Sequence, residues 1–238
     1  MHRVLELIYS YGGLFLSEEY KPDLGGDYIK LHKVMTRGIN VSLFNINKFL
    51  NDGLMEKLNR EGFISYVQSF SSVLHGHHMV EDEKIFPYFK DRLPEVPYSR
   101  LVSEHEIFDD GLQQINSAID HLTNETDELE SLITLKKGFD KLNEIWDTHI
   151  QIENTKLYGE IRDLNMDPED MVKIEKESKE FFQENSGPGY LVIPFVLYNL
   201  SLEDRRVIAK GFPDVVTSKL LFDDWKDKWI SMKPFLLE

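Results

Sequence analysis

An all-α fold is predicted: an up-down-up-down four-helix bundle followed by a C-terminal helical extension. Three observations carry that expectation. Apolar residues recur at helical spacing through long stretches of the 238-residue chain, and no run of alternating Val, Ile and Thr is flanked by hairpin turns. Breaks are few and spaced for long rods. Finally, each of four long stretches turns one histidine toward its apolar face, and the breaks are placed to bring those histidines to one level.

Taken in order, residues 1–26 read as an N-terminal segment packing on the bundle, closed by the break from Pro22 to Gly26. Residues 27–163 form the bundle. Its rods are separated by Asn51-Asp52-Gly53, by the region of Pro94 and Pro97, and by Asn124 to Asp127. Residues 164–238 form the extension. Asp167-Pro168-Glu169-Asp170 opens its first helix with a capping Asp, a proline at the first helical position and acids in the first turn. Ser186-Gly187-Pro188-Gly189 ends that helix, Ser201 to Asp204 reads as another capped start, and Gly211-Phe212-Pro213 as a stop and restart. The segment Tyr190 to Tyr198 is too apolar to be left in water. It is expected to pack on the bundle or to form a subunit interface, giving a homodimer through the extension. Trp225, Trp229 and Met232 lie at helical spacing and read as core.

Composition narrows the function classes. Acidic residues number 42 against 27 basic, a net charge of −15, which disfavours nucleic acid and anionic membrane surfaces as partners. Cysteine is absent, which removes disulfides, thiolate nucleophiles and cysteine-ligated zinc, haem or iron–sulfur centres. The N-terminal apolar stretch is broken by Glu6 and Gly12-Gly13 and lacks a small-residue cleavage site, so it reads as structure, not a signal peptide. No apolar run reaches the ~18 residues of a membrane span. A soluble cytoplasmic protein is expected.

The chemistry lies in a short internal repeat. HHMVEDEKIFPYF from His77 aligns with HIQIENTKLYGEI from His149, matching His77 with His149, Glu81 with Glu153, Asp82 with Asn154 and Phe86 with Tyr158. Upstream, Phe70, Val73 and Leu74 match Leu142, Ile145 and Trp146. Each copy therefore carries His-x-x-x-Glu, whose members share one helix face. His32 and His105 sit on similar apolar faces. In antiparallel rods two residues lie level when the turn falls midway between them, and the midpoints for His32/His77, His77/His105 and His105/His149 fall at or beside the three breaks. Four imidazoles with Glu81 and Glu153 thus converge. Buried without compensation, the carboxylates would cost several kcal/mol each. Imidazole and carboxylate donors without thiolate suit iron, manganese or zinc, and two carboxylates can bridge two metals. No histidine here follows a Glu by three residues, so the Glu-x-x-His pattern of ferritin-type sites is missing.

In this pattern (His, His-x-x-x-Glu, His, His-x-x-x-Glu on successive helices) the chain resembles the hemerythrin-like proteins, the HHE cation-binding group, over roughly residues 27 to 163. Glu81-Asp82-Glu83-Lys84-Ile85-Phe86-Pro87 is similar to the family's second-helix signature. The resemblance implies two non-haem iron ions bridged by an oxo or hydroxo group. His32 and His77 would serve one iron, His105 and His149 the other, with Glu81 and Glu153 bridging. The respiratory oxygen carriers have a second ligand histidine one turn along the third helix, where this chain has Asp109. His78 and Asp109 are both candidate additional ligands, although His78 lies about 100° of helical rotation from His77. His75 is expected to face solvent, and Trp146, Phe70 and Phe86 to pack around the site. A register pairing His78 with Asp82 sets Pro87 opposite Tyr158 and matches the second copy worse. The implied ligand is dioxygen, another small diatomic or peroxide, bound for sensing, storage or scavenging. The alternatives are a di-iron redox enzyme (peroxidase, nitric-oxide or peroxide reductase) and a structural metal site. An iron–sulfur repair factor is disfavoured by the missing N-terminal Cys motif.

Overall fold

The computed structural model describes residues 23–53, 57–124 and 127–237, and these are helical without any strand. Four long rods come first: α1 (Leu24–Asp52), α2 (Lys57–Val80), α3 (Tyr98–Thr123) and α4 (Glu128–Ile152). α2 runs on through a π-helical turn at Glu81–Ile85 into a last turn at Phe86–Phe89. α4 does the same through Glu153–Leu157 into Tyr158–Asp163. The extension follows as α5 (Pro168–Asn185), α6 (Gly189–Tyr198) and α7 (Leu202–Ala209), a π-helical turn at Val216–Leu220, α8 (Lys226–Trp229) and a 3₁₀ segment at Ile230–Phe235.

Local chemistry explains most boundaries. Asp127 accepts from Glu130 N at the start of α4, Asp167 from Glu169 N at α5, and Ser201 from Asp204 N at α7, each satisfying an orphan donor of the first turn. α1 stops where Gly53 adopts φ 97°, and the chain after α5 turns at Gly187 with φ 82°. One expected boundary shifts. α1 begins at Leu24, so Gly25 and Gly26 lie inside its first turn; Asp23 Oδ1 caps it by accepting from Gly26 N at 3.0 Å. A side chain at Gly25 would collide with the Tyr158 carbonyl, so the glycine serves close packing where a break was expected. The expectation of an N-terminal segment packing on the bundle falls on residues 1–22, outside the described residues.

Each long rod packs on two neighbours: α1 on α2 and α4, and α3 on α2 and α4. The extension lies chiefly along α2, which meets α5, α6 and the 3₁₀ segment. Phe195 from α6 is fully buried, its ring 5.0 Å from that of Tyr66, and Phe235 lies 5.4 Å from Phe63. Val192, Phe195, Leu197, Trp225, Trp229 and Met232 thus join the main core of their own chain. The apolar segment finds its cover there. At Gly62 the Ser231 carbonyl approaches so closely that any side chain would displace it.

Apolar packing falls into two clusters, one around Met35, Phe70, Phe108, Phe139 and Trp146, the other around Tyr28, Val80, Phe86, Leu101 and Tyr158. Along every long rod the boundary between them falls at a histidine. No described helix is long and apolar enough to cross a membrane. Because the extension shares the main core, Phe195→Ala is expected to cost about 3–5 kcal/mol. A thermal or urea denaturation curve measures this, and an unchanged midpoint would mean that the extension only rests on the surface.

Candidate metal centre

The layer between the two apolar clusters is polar. His32, His77, His78, His105 and His149 are each at most 3% exposed, and Glu81 and Glu153 are fully buried. Their donor atoms form two groups, each compact enough to hold one metal ion: His32, His77, Glu81 and Glu153 in the first, and His78, His105 and His149 in the second. Within a group the donors lie within 4.8 Å of one another. His32 Nε2 and His77 Nε2 are 3.1 Å apart, close to the ~3 Å separation of two ligands bonded at right angles at ~2.1 Å from one ion.

Glu153 lies between the groups. Its Oε2 is 3.2 Å from His32 Nε2, while its Oε1 is 3.1 Å from His149 Nε2 and 3.7 Å from His105 Nε2. Glu81 directs Oε2 toward His77 Nε2 at 3.2 Å and His105 Nε2 at 3.6 Å; its Oε1 accepts from the Tyr158 hydroxyl at 2.5 Å. Both glutamates open the π-helical turns of their rods. The following residue then reaches the next rod. Asp82 Oδ1 lies 2.9 Å from His105 Nδ1 and Asn154 Oδ1 lies 2.6 Å from His32 Nδ1. Glu104 Oε2, whose carboxylate also accepts from Arg100 through Oε1, lies 2.9 Å from His149 Nδ1.

These outer bonds settle which ring nitrogen is free. An Nδ1–H that donates to a carboxylate or amide oxygen leaves the Nε2 lone pair pointing inward, the form a metal requires. That lone pair then faces carboxylate oxygens. His149 Nε2, His105 Nε2, Glu81 Oε2 and both Glu153 oxygens are buried without a hydrogen bond, as are both nitrogens of His78. Inward lone pairs in this density repel unless a cation, or a proton such as the one His105 takes up, lies among them. The donor set fits one or two metal ions on that ground.

Titration behaviour agrees. Burial and the neighbouring imidazoles, His32 for one and His105 for the other, hold His77 and His78 well below the ordinary histidine range, so both stay neutral. Burial, reinforced by the Glu153 carboxylate, pushes Glu81 up. Glu153 goes the other way: burial opposes its charge, but the close imidazoles of His149, His105 and His32 prevail and keep it low. His105 is raised to about 10, because its bond to Asp82 and the nearby Glu153 and Glu81 carboxylates outweigh the cost of burial.

A family model of the hemerythrin HHE cation binding domain matches residues 32–181, more than half of the chain. The chain belongs to the hemerythrin HHE cation-binding family. The match spans all four long rods and runs into α5. No curated protein and no solved structure matches the chain.

The structure of this hemerythrin-family chain brings together His32, His77, Glu81, His105, His149 and Glu153. Of the two candidate additions, it brings in only His78, which stacks on His105 at 4.0 Å between ring centroids. The Asp109 candidacy is corrected: its side chain is 54% exposed and stands 3.9 Å from the equally exposed His75, away from the layer. Sequence reasoning missed the Nδ1 partners Asp82, Glu104 and Asn154 and the hydroxyl of Tyr158. The Asp82/Asn154 match in the repeat was the available signal.

Metal uptake must displace the proton that His105 carries at pH 7, since His105 titrates only at about 10, and the upward shift of Glu81 acts in the same direction. His77 and His78, being neutral, have none to lose. Binding is therefore expected to release protons, with apparent affinity climbing from pH 7 toward 10. Calorimetry in two buffers of different ionisation enthalpy measures the release, and identical heats in both would contradict it.

Proposed function

We propose that this chain holds a carboxylate-bridged pair of non-haem iron ions and binds or senses dioxygen, or a related small diatomic or peroxide ligand, at that centre. The observation that carries this reading is Glu153, whose two oxygens face two different groups of inward histidine nitrogens. A single structural ion would use one group and leave the other unexplained. His32 and His77 would hold one iron and His78, His105 and His149 the other, with Glu81 and Glu153 between them. Seven imidazole and carboxylate ligands without thiolate, on two adjacent positions, suit iron better than a tetrahedral zinc staple.

When bound, the iron pair supplies electrons to a small oxidant. The rest falls to the chain's own residues. Asn154, Asp82 and Glu104 fix the orientation of His32, His105 and His149. Phe108, Trp146 and Phe86, all buried, close the layer to water from above and below. Tyr158 keeps a proton on the hydrogen bond to Glu81 Oε1, next to the donors. A surface cleft between α1 and α4, lined by Ile29, Thr36, Ile150 and Asn154, reaches His32 and is the route by which a small molecule would arrive. The first group offers two imidazoles against three in the second, so the position left for that molecule is assigned to the first iron.

The same reading makes the four long rods an up-down-up-down bundle, supported by each rod packing on two of the other three and by the histidines meeting at one level. Residues 164–238 then act as an extension that buttresses α2.

Metal analysis with an optical spectrum tests the proposal. Iron at about two per chain with near-ultraviolet oxo-to-iron absorption is expected. Glu153→Ala and His78→Ala should lose iron, whereas Asp109→Ala should keep it. Unchanged iron content in the first two variants would refute the assignment. Aerating the reduced protein should give a stable spectral change. Turnover of peroxide or nitric oxide beyond stoichiometric amounts would instead mark a redox enzyme.

A further inference from the structure

The internal repeat gives the layer an approximate two-fold relation: α1 and α2 correspond to α3 and α4, His32 to His105 and His77 to His149. Under that relation the contacts behind the histidines should match in pairs. They do so in position and differ in charge. Asp82 behind His105 corresponds to Asn154 behind His32, a carboxylate against an amide at 2.9 and 2.6 Å. Glu104 behind His149 corresponds to Leu31, the residue before His32, and His77 Nδ1 accordingly has no hydrogen-bond partner. His78 itself corresponds to Ile150. These three departures from the two-fold relation place the anionic or electron-donating residue on the same side.

A carboxylate that accepts from Nδ1–H makes the imidazole a stronger donor through Nε2, and a stronger donor favours the more highly charged metal ion. Arg100 tempers Glu104, but its guanidinium is half exposed and screened, while Glu104 is 12% exposed. Among the described residues no lysine or arginine forms an ion pair with Asp82. The bias therefore persists on the second side.

We propose that Asp82 and Glu104 are positioning residues that make the two metal positions electronically unequal: the ion held by His78, His105 and His149 is the more easily oxidised, and the ion held by His32 and His77 is reduced first. This rests on the di-iron reading above. When a one-electron reductant is added to the fully oxidised pair, the first electron converts the ferric ion of the first group to ferrous, and the second converts that of the second group.

The experiment is a mediated reductive titration of the iron-loaded full chain with dithionite, followed by electron paramagnetic resonance of the half-reduced state. The native chain should give two separated one-electron waves and a half-reduced signal over a wide range of potential. Asp82→Asn and Glu104→Gln should each move the more negative wave to higher potential, narrowing the gap and shrinking that signal, with iron content retained. Asn154→Asp supplies the converse: it should move the other wave to lower potential and also narrow the gap. Two irons in place with waves unmoved in all three variants overturn this inference alone. A chain that takes up no iron pair, seen by metal analysis before any titration, overturns the di-iron reading and this inference with it.

Discussion

Seven buried donors facing one another are the constraint around which the molecule is arranged. Glu81 and Glu153 lie in the interior beside five imidazoles, and among the described residues no lysine or arginine forms an ion pair with either. The proton on His105 offers partial relief, and cations offer more complete relief. The apolar clusters on either side set the dielectric in which that repulsion acts. They make the layer costly without cations and tight with them.

The outer contacts matter as much as the inward ones. A histidine has two nitrogens, and an inward lone pair is assured only when the other nitrogen has given its hydrogen to something. Asp82, Glu104 and Asn154 do this from neighbouring rods, so the protonation forms of His105, His149 and His32 are each fixed by a helix other than their own. The packing of the rods and the chemistry of the layer are thereby one problem. α2, which carries three members of the layer, is also the rod braced by the extension.

Much of this was legible in the primary structure. The His-x-x-x-Glu repeat and the midpoints between histidines were enough to bring six residues together, because helix rise and short turns leave little freedom in where antiparallel rods align. His78 was harder. A helical wheel treats the interior as a single direction, and 100° of rotation then looks disqualifying; two groups of donors side by side present a target wide enough for consecutive residues to join one each. Asp109 failed for the opposite reason: periodicity from His105 placed it one turn on, but its side chain meets His75 at the surface. Gly25 and Gly26 looked like a break because glycine is a poor helix former. Their role depends on the backbone of Tyr158, far away in the chain.

The π-helical turns have no sequence signature, yet both copies contain one, beginning at the glutamate. An inserted residue in a helix turns everything after it relative to everything before. Upstream of Glu81 and Glu153 the rods follow the angular phase of the histidines; downstream, Phe86 and Tyr158 follow another, aimed at the floor of the layer. Each rod thus addresses two differently oriented surroundings without bending or stopping. Such a phase step separates the tuning of the donor layer from the tuning of what lies beneath it, so either half of a rod can drift in evolution while the other keeps its aim.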